Sequence, residues 1–237
     1  MGLYREQGVV LRTIKLGESD RIVSIVTAGR GKIRGVAKGV RKTKSRFGAR
    51  LEPLSHVSLL VYEGRDLDTI SQAESIDHFR AIREDLDRMA SAMTMLEVVD
   101  QVAQPDEANP RLYQMLVSAL RALAERPAPL LMPAFFWKLL SLEGAHPLLA
   151  ECAVCGSTAD LVAFDLSLGG VLCRDCRSGR PITPEAIALV RRVLEGGLAG
   201  ALNEPASPVT AEVDALAAWS IEQHLERRLR SLHVLDH

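Results

Sequence analysis

The chain has 237 residues, enough for about two domains with separate cores. Its 29 Lys and Arg nearly balance 30 Asp and Glu, and its apolar and charged fractions are those of a globular protein, which excludes a disordered chain. The longest uncharged run, residues 127–137, contains three prolines and is too short to span a bilayer, which takes about 20 residues.

Near the start, Arg5, Glu6, Arg12, Lys15, Glu18 and Asp20 interrupt any signal-like apolar run, and Glu6 stands where myristoylation after Gly2 requires Ser or Thr. A soluble, cytoplasmic protein is expected. Segments 8–16, 21–28, 32–38, 57–63 and 67–73 are short, rich in Val, Ile and Leu, and separated by turn compositions. Five such strands predict a small closed barrel of the five-stranded Greek-key type, the OB-fold. In the third, period two places Lys32, Arg34, Val36 and Lys38 on one face and Ile33, Gly35 and Ala37 on the other.

Residues 29–50, GRGKIRGVAKGVRKTKSRFGAR, hold nine basic residues and no acidic one. Residues 1–80 carry 15 basic against 9 acidic side chains, and residues 81–237 carry 14 against 21. Charge gathered in this way predicts a docking surface for a polyanion, with 39–53 as a long basic loop between strands three and four. The plainer alternative is a solvated loop.

From Phe79 the apolar period becomes helical. Phe79, Ile82, Leu86, Met89, Met93, Leu96, Val99 and Val102 form one stripe that predicts a helix of about 24 residues ending at Pro105. Asn109-Pro110 opens a second helix with the stripe Leu112, Met115, Leu116, Ala119 and Leu123. Residues 133–142 are apolar on most faces and predict a central helix that Gly144 ends. Thr183-Pro184-Glu185 and Ser207-Pro208 open two more; the last has the stripe Val213, Leu216, Ile221, Leu225 and Leu229 and a basic end at 227–230.

Cys152, Cys155, Cys173 and Cys176 read C-x2-C-x17-C-x2-C. Two such knuckles bring four thiolates to one point, a closed tetrahedral site suited to structural zinc, with 161–165 and 170–173 as a hairpin between them. A redox pair of the thioredoxin kind would need a βαβ context that this sequence lacks.

Catalytic motifs are absent. Gly31-Lys32 is followed by Ile33, so there is no P-loop, and no dinucleotide fingerprint, nucleophile elbow or His-Glu-x-x-His is present. The six histidines (56, 78, 146, 224, 233, 237) show no ligand spacing. The expectation is a binding protein rather than an enzyme, with no small-molecule substrate.

Val36-Ala-Lys-Gly-Val-Arg-Lys-Thr-Lys-Ser-Arg-Phe-Gly followed by Leu51-Glu-Pro-Leu resembles the RecO family of DNA repair proteins. So do the opening Gly8-Val-Val-Leu, the turn Gly17-Glu-Ser-Asp20 and the cysteine quartet after the apolar helix. The resemblance implies an α+β chain: an OB-fold over residues 1–78, then a helical domain over 79–237 with a zinc-finger-like insert at 150–181. It also implies a recombination mediator, cytoplasmic and nucleoid-associated, that binds single- and double-stranded DNA and anneals complementary strands. Its partners would be RecR and the C-terminal tail of single-strand-binding protein, and its task to help load RecA. Lys32, Arg34, Lys38, Arg41, Lys42, Lys44, Arg46 and Arg50 are the expected phosphate contacts. Family members differ in whether they keep the cysteines, so the zinc is expected to be structural.

The barrel segment offers only Tyr4, Phe47 and Tyr62 for base stacking, with Trp137 and Trp219 in the helical part, so binding is expected to rest on phosphates. An acidic, apolar-ended tail would need an apolar groove with a basic rim, for which Arg121, Arg126 and Lys138 are candidates. Two other readings stay open on the residues alone: an RNA-binding OB module with a zinc ribbon, and a structural adaptor whose basic loop is incidental.

Overall fold

The computed structural model describes residues 2–229, which form two compact units, one built chiefly from Met1–Glu125 and one from Arg126–Arg228. In the first, β1 (Leu3–Leu16), β2 (Asp20–Thr27), β3 (Gly31–Ala37), β4 (His56–Tyr62) and β5 (Asp68–Asp77) close into a barrel in the order β1-β2-β3-β5-β4. The five expected strands are therefore present. β1 starts five residues earlier than its apolar run, because Leu3 to Gln7 pair with Tyr62 to Ser58 and their outward side chains need no apolar pattern.

Val10, Val23, Ile25, Ile33, Val57, Leu59, Val61 and Ile70 fill the barrel. β3 follows the predicted alternation: Ile33, Gly35 and Ala37 are buried, while Arg34 is exposed. Closure is narrow, since β5 begins where β3 ends and the two pair in parallel only at Gly35↔Asp68 and Val36↔Thr69. Gly35 permits this pairing; a Cβ there would lie 2.8 Å from Ile70 Cγ1. Beyond that point residues 38–55 take over the wall, with Phe47 and Leu51 in the barrel core and Leu54 fully buried.

The predicted 24-residue helix is broken. α1 (Arg80–Arg83) is one turn, and α2 (Leu86–Val102) starts afresh after Asp85, whose carboxylate accepts the Arg88 N–H as an N-cap. The break rotates the stripe, so Leu86 is 82% exposed and Met93 lies at the surface, while Ala92, Met95 and Val98 are buried instead. α3 (Pro110–Glu125) starts as expected, with the Asn109 side chain accepting the Leu112 N–H. α2 and α3 pack on β1 and β2. The first compact unit runs to residue 125 and so takes in the first helices together with the barrel.

In the second unit, α4 (Leu131–Leu142) is central and buries Phe135, Phe136, Trp137, Leu139 and Leu140. It packs against α5 (Pro184–Leu194) and α7 (Pro208–His224), with the single turn α6 (Leu198–Ala201) between them. Thr183 and Ser207 cap α5 and α7 as the sequence indicates. β6 (Leu161–Asp165), β7 (Gly170–Cys173) and β8 (Arg180–Pro181) form a small sheet in the order β7-β6-β8. Trp137 meets Phe164 edge to face, with ring centroids 5.5 Å apart, which joins this sheet to α4. Arg230, His233 and His237 lie outside the described residues. No helix of the described residues is long and apolar enough to cross a membrane.

Candidate nucleic-acid interface and metal centre

The segment between β3 and β4 is a cover whose apolar residues point in and whose cations point out. Phe47 is 1% exposed, while Lys38, Arg41, Lys42, Lys44, Arg46 and Arg50 are all exposed and form no ion pair among the described residues. Turns within the cover are fixed by main-chain bonds such as Ser45 N to Lys42 O at 2.9 Å and Arg50 N to Phe47 O at 3.1 Å. At its entrance Asp20 Oδ1 accepts the Gly39 N–H at 2.7 Å. That bond, the Ser19 hydroxyl and the nearby Lys38 and Lys42 hold the Asp20 carboxyl below the usual carboxylate range.

Two guanidinium groups are also anchored by their own surroundings. Arg41 Nη1 donates to Glu18 O at 2.9 Å, and Arg50 Nη1 donates to Arg46 O at 3.1 Å. A guanidinium has five N–H donors, so each keeps most of them for an incoming phosphate while its position is already set. At the exit, Arg83 Nη2 donates to Pro53 O at 2.8 Å, and Arg21 pairs with Glu52 at 2.7 Å.

Lys32 is placed differently from the other seven expected cations. Its side chain is only 16% exposed and is turned to Asp100 of α2, which Arg12 also meets. Arg34 remains exposed and lines a cavity of about 450 Å³ with Arg65 and Asp66 from the β4–β5 loop and Asp68 from the start of β5. A second cavity of about 510 Å³ lies between Arg46 and Arg50 and residues 71–75 of β5. Neither Asp20 nor Arg65 is among the site residues the sequence points to; an acid at a strand start facing a basic loop is the available signal for Asp20.

The three barrel aromatics separate by environment. Phe47 is in the core, and Tyr4 is held between Asp68, to which its hydroxyl donates, and Arg30, whose guanidinium lies 4.0 Å from the ring centre. Tyr62 alone of the three is open, at 54% exposure. Of the other candidate rim residues, Arg121 is exposed on α3 in the first unit, while Arg126 and Lys138 belong to the second, where Arg126 donates to Asn203.

The four cysteines converge as their spacing predicts. Their sulfurs all lie within 4.8 Å of one another, and Cys155 Sγ is 3.7 Å from Cys173 Sγ. Four sulfurs about 2.3 Å from one ion would stand about 3.8 Å apart, so the set fits a tetrahedral metal site. Hydrogen bonds shape the first knuckle: Cys152 N donates to Ser157 O at 2.8 Å and Gly156 N returns to Cys152 O at 2.8 Å. Main-chain N–H groups, that of Cys173 foremost, draw the Cys152 thiol down to about 6. The neighbouring sulfurs of Cys155 and Cys173 push Cys176 up to about 12. Four thiolates this close would repel one another, so a full set of four calls for a cation. None of the four is in a disulfide, and together they could hold a metal ion.

Comparison with known proteins agrees with this architecture. The profile of the recombination protein O N-terminal family matches residues 1–79, and that of the recombination protein O C-terminal family matches residues 83–233. The DNA repair protein RecO of Frankia casuarinae is 41% identical over 243 residues, an alignment that takes in 100% of this chain and 99% of that protein. The chain belongs to the RecO family of DNA repair proteins.

Proposed function

We propose that this member of the RecO family is a recombination mediator that binds single- and double-stranded DNA through the cover between β3 and β4. The observation that carries the reading is the set of six exposed cations, without an ion pair among the described residues, on a scaffold fixed from beneath by Phe47 and from the side by Asp20. Phosphates are the same on every strand, so such a surface binds with little regard to sequence. It can also neutralise two strands while leaving their base edges free, which is what annealing needs. Arg34 extends the surface, and Lys32 serves instead to hold α2 to the barrel.

Family membership supports the further roles: annealing of complementary strands, and action with RecR to load RecA on DNA coated by single-strand-binding protein. Zinc is the ion best suited to the four cysteines, since thiolate sets select it and a closed tetrahedron leaves no position for a substrate. Cys152, Cys155, Cys173 and Cys176 would hold it, and its contribution would be to the fold of the second unit. The deciding experiment is strand annealing on oligonucleotides already coated with single-strand-binding protein. The proposal requires faster annealing with the protein present and loss of that gain when Arg41, Lys42 and Lys44 are changed to Glu.

A further inference from the structure

Among the described residues of its unit, one face of the barrel remains uncovered. Leu3 of β1 stands opposite Tyr62 of β4, and Arg5 stands opposite Leu60, so these four side chains share the outer face. On β5 the row continues with Thr69 opposite Tyr62 and Gln72 opposite Leu60. Leu3 is 53% exposed and Tyr62 54%, so an aliphatic side chain and an aromatic ring stand open side by side on this face. Arg5 is exposed, and so is Arg65, three residues after Tyr62; neither forms an ion pair among the described residues. Of the nearby acids, Glu63 is paired with Arg30 at 3.0 Å and Asp68 accepts from the Tyr4 hydroxyl, while Asp66 beside Arg65 and Glu74 on the row of Gln72 are exposed.

The face is continuous with the basic cover. Gln72 belongs to the same outer row as Leu60, and it also floors the cavity that Arg46 and Arg50 overhang. A chain of phosphates held by Arg46 and Arg50 can cross β5 at Gln72 and bring its next bases over β4. There it meets the open ring of Tyr62, which shares its outer face with Arg5 and has Arg65 three residues further along the chain; open rings and nearby cations are what single-strand-binding surfaces combine. A duplex cannot use the ring, because its bases are stacked on each other.

We infer that Tyr62 is a stacking platform for an unpaired base, flanked by Arg5 and Arg65 as phosphate contacts, so that this face takes single strands only. The inference rests on the DNA-binding reading above and adds to it a basis for telling one strand from two. The cover contacts either form; the Tyr62 face contacts only the unpaired one.

Tyr62→Ala and Tyr62→Phe test it in the full-length protein, with labelled oligothymidylate, an abasic strand of equal length and a blunt duplex as probes. Tyr62→Ala is expected to weaken oligothymidylate binding roughly 5- to 150-fold while leaving the abasic strand and the duplex as they were; Tyr62→Phe keeps the wild-type pattern. An exposed ring is not needed for folding, so the melting temperature should be unchanged. Unaltered oligothymidylate binding by a folded Tyr62→Ala protein would overturn the inference and leave the face to a protein partner. Equal losses on all three probes would overturn it too. The Arg41, Lys42 and Lys44 to Glu variant is run alongside: if it weakens binding and Tyr62→Ala does not, only the stacking platform fails, whereas no effect of either removes the DNA-binding reading itself.

Discussion

The ammonium of Lys32 lies 2.6 Å from the main-chain carbonyl oxygen of Asp100 and 3.6 Å from its Oδ1. Arg12 reaches the other carboxylate oxygen at 2.5 Å, and the Asp100 side chain is only 9% exposed. One acid of α2 thus ties down cations from β1 and β3. Asp100→Ala leaves the largely buried Lys32 ammonium without its carboxylate, while the half-exposed Arg12 can turn to water, and is expected to cost about 1–3 kcal/mol in urea denaturation. Lys32→Ala should likewise lower stability while leaving the salt dependence of DNA binding where it was. A shallower salt slope in that variant would return Lys32 to the phosphate contacts.

The cover's cations make the opposite forecast. Six phosphate contacts on a single strand give a slope of log K against log salt of roughly −4, at about 0.7 per contact. Changing Arg41, Lys42 and Lys44 to Glu should flatten that slope by about 2 and weaken binding alike on all sequences. Melting should hardly move, because the three side chains are exposed. Salt-titrated fluorescence anisotropy reads both quantities.

Phe47 sits between two of these cations' neighbours in sequence yet belongs to the core. Removing its ring leaves a cavity in the barrel wall, so Phe47→Ala is expected to cost about 3–5 kcal/mol. DNA affinity should fall as well, though no charge is lost. A stable Phe47→Ala protein with weakened binding would mean that the ring touches DNA rather than the core.

His56 provides a pH dependence. Its Nε2 lies 2.7 Å from the Tyr113 hydroxyl, and burial first, then the charge of Arg121, lowers its pKa below the usual imidazole value; Asp77 acts weakly the other way. The folded protein therefore keeps this ring neutral where the unfolded chain takes up a proton. Stability is fully present above about pH 6.5 and is lost as pH falls from there toward the lowered folded value. His56→Gln should remove that loss between about pH 7 and 5, measured by urea denaturation at a series of pH values. Persistence of the full slope in the variant would assign it to other groups.

For the cysteines, elemental analysis of gently purified protein should give about one zinc per chain. A structural site contributes on the order of 10–16 kcal/mol of apparent binding free energy, so Cys152→Ser or Cys173→Ser should open the small sheet to proteolysis and lower solubility. Gently purified protein that holds no metal, with both variants as protease-resistant as the wild type, would argue against a bound ion.

How much of this was legible beforehand depended on whether the signal was local. The strands, the cysteine knuckles and the caps at Asn109, Thr183 and Ser207 each declare themselves within a few residues, and the structure has them. The break at Asp85 was hidden because Leu86 and Met93 kept the apolar period across it, although neither is buried. Nothing near Phe47 in sequence distinguishes a core ring from an exposed one, since its partners come from five strands. The engagement of Lys32 depends on Asp100, 68 residues away.

The bond from Gly39 to Asp20 and the anchored guanidiniums of Arg41 and Arg50 bear on the speed of encounter. A flexible basic loop must fold onto its ligand after collision, and that ordering slows association. A cover already in its final shape has no such step, so its field alone sets the rate, which climbs steeply as salt is lowered. Release is equally free of unfolding, and a strand held in this way can be passed on as soon as a better-matched acceptor arrives.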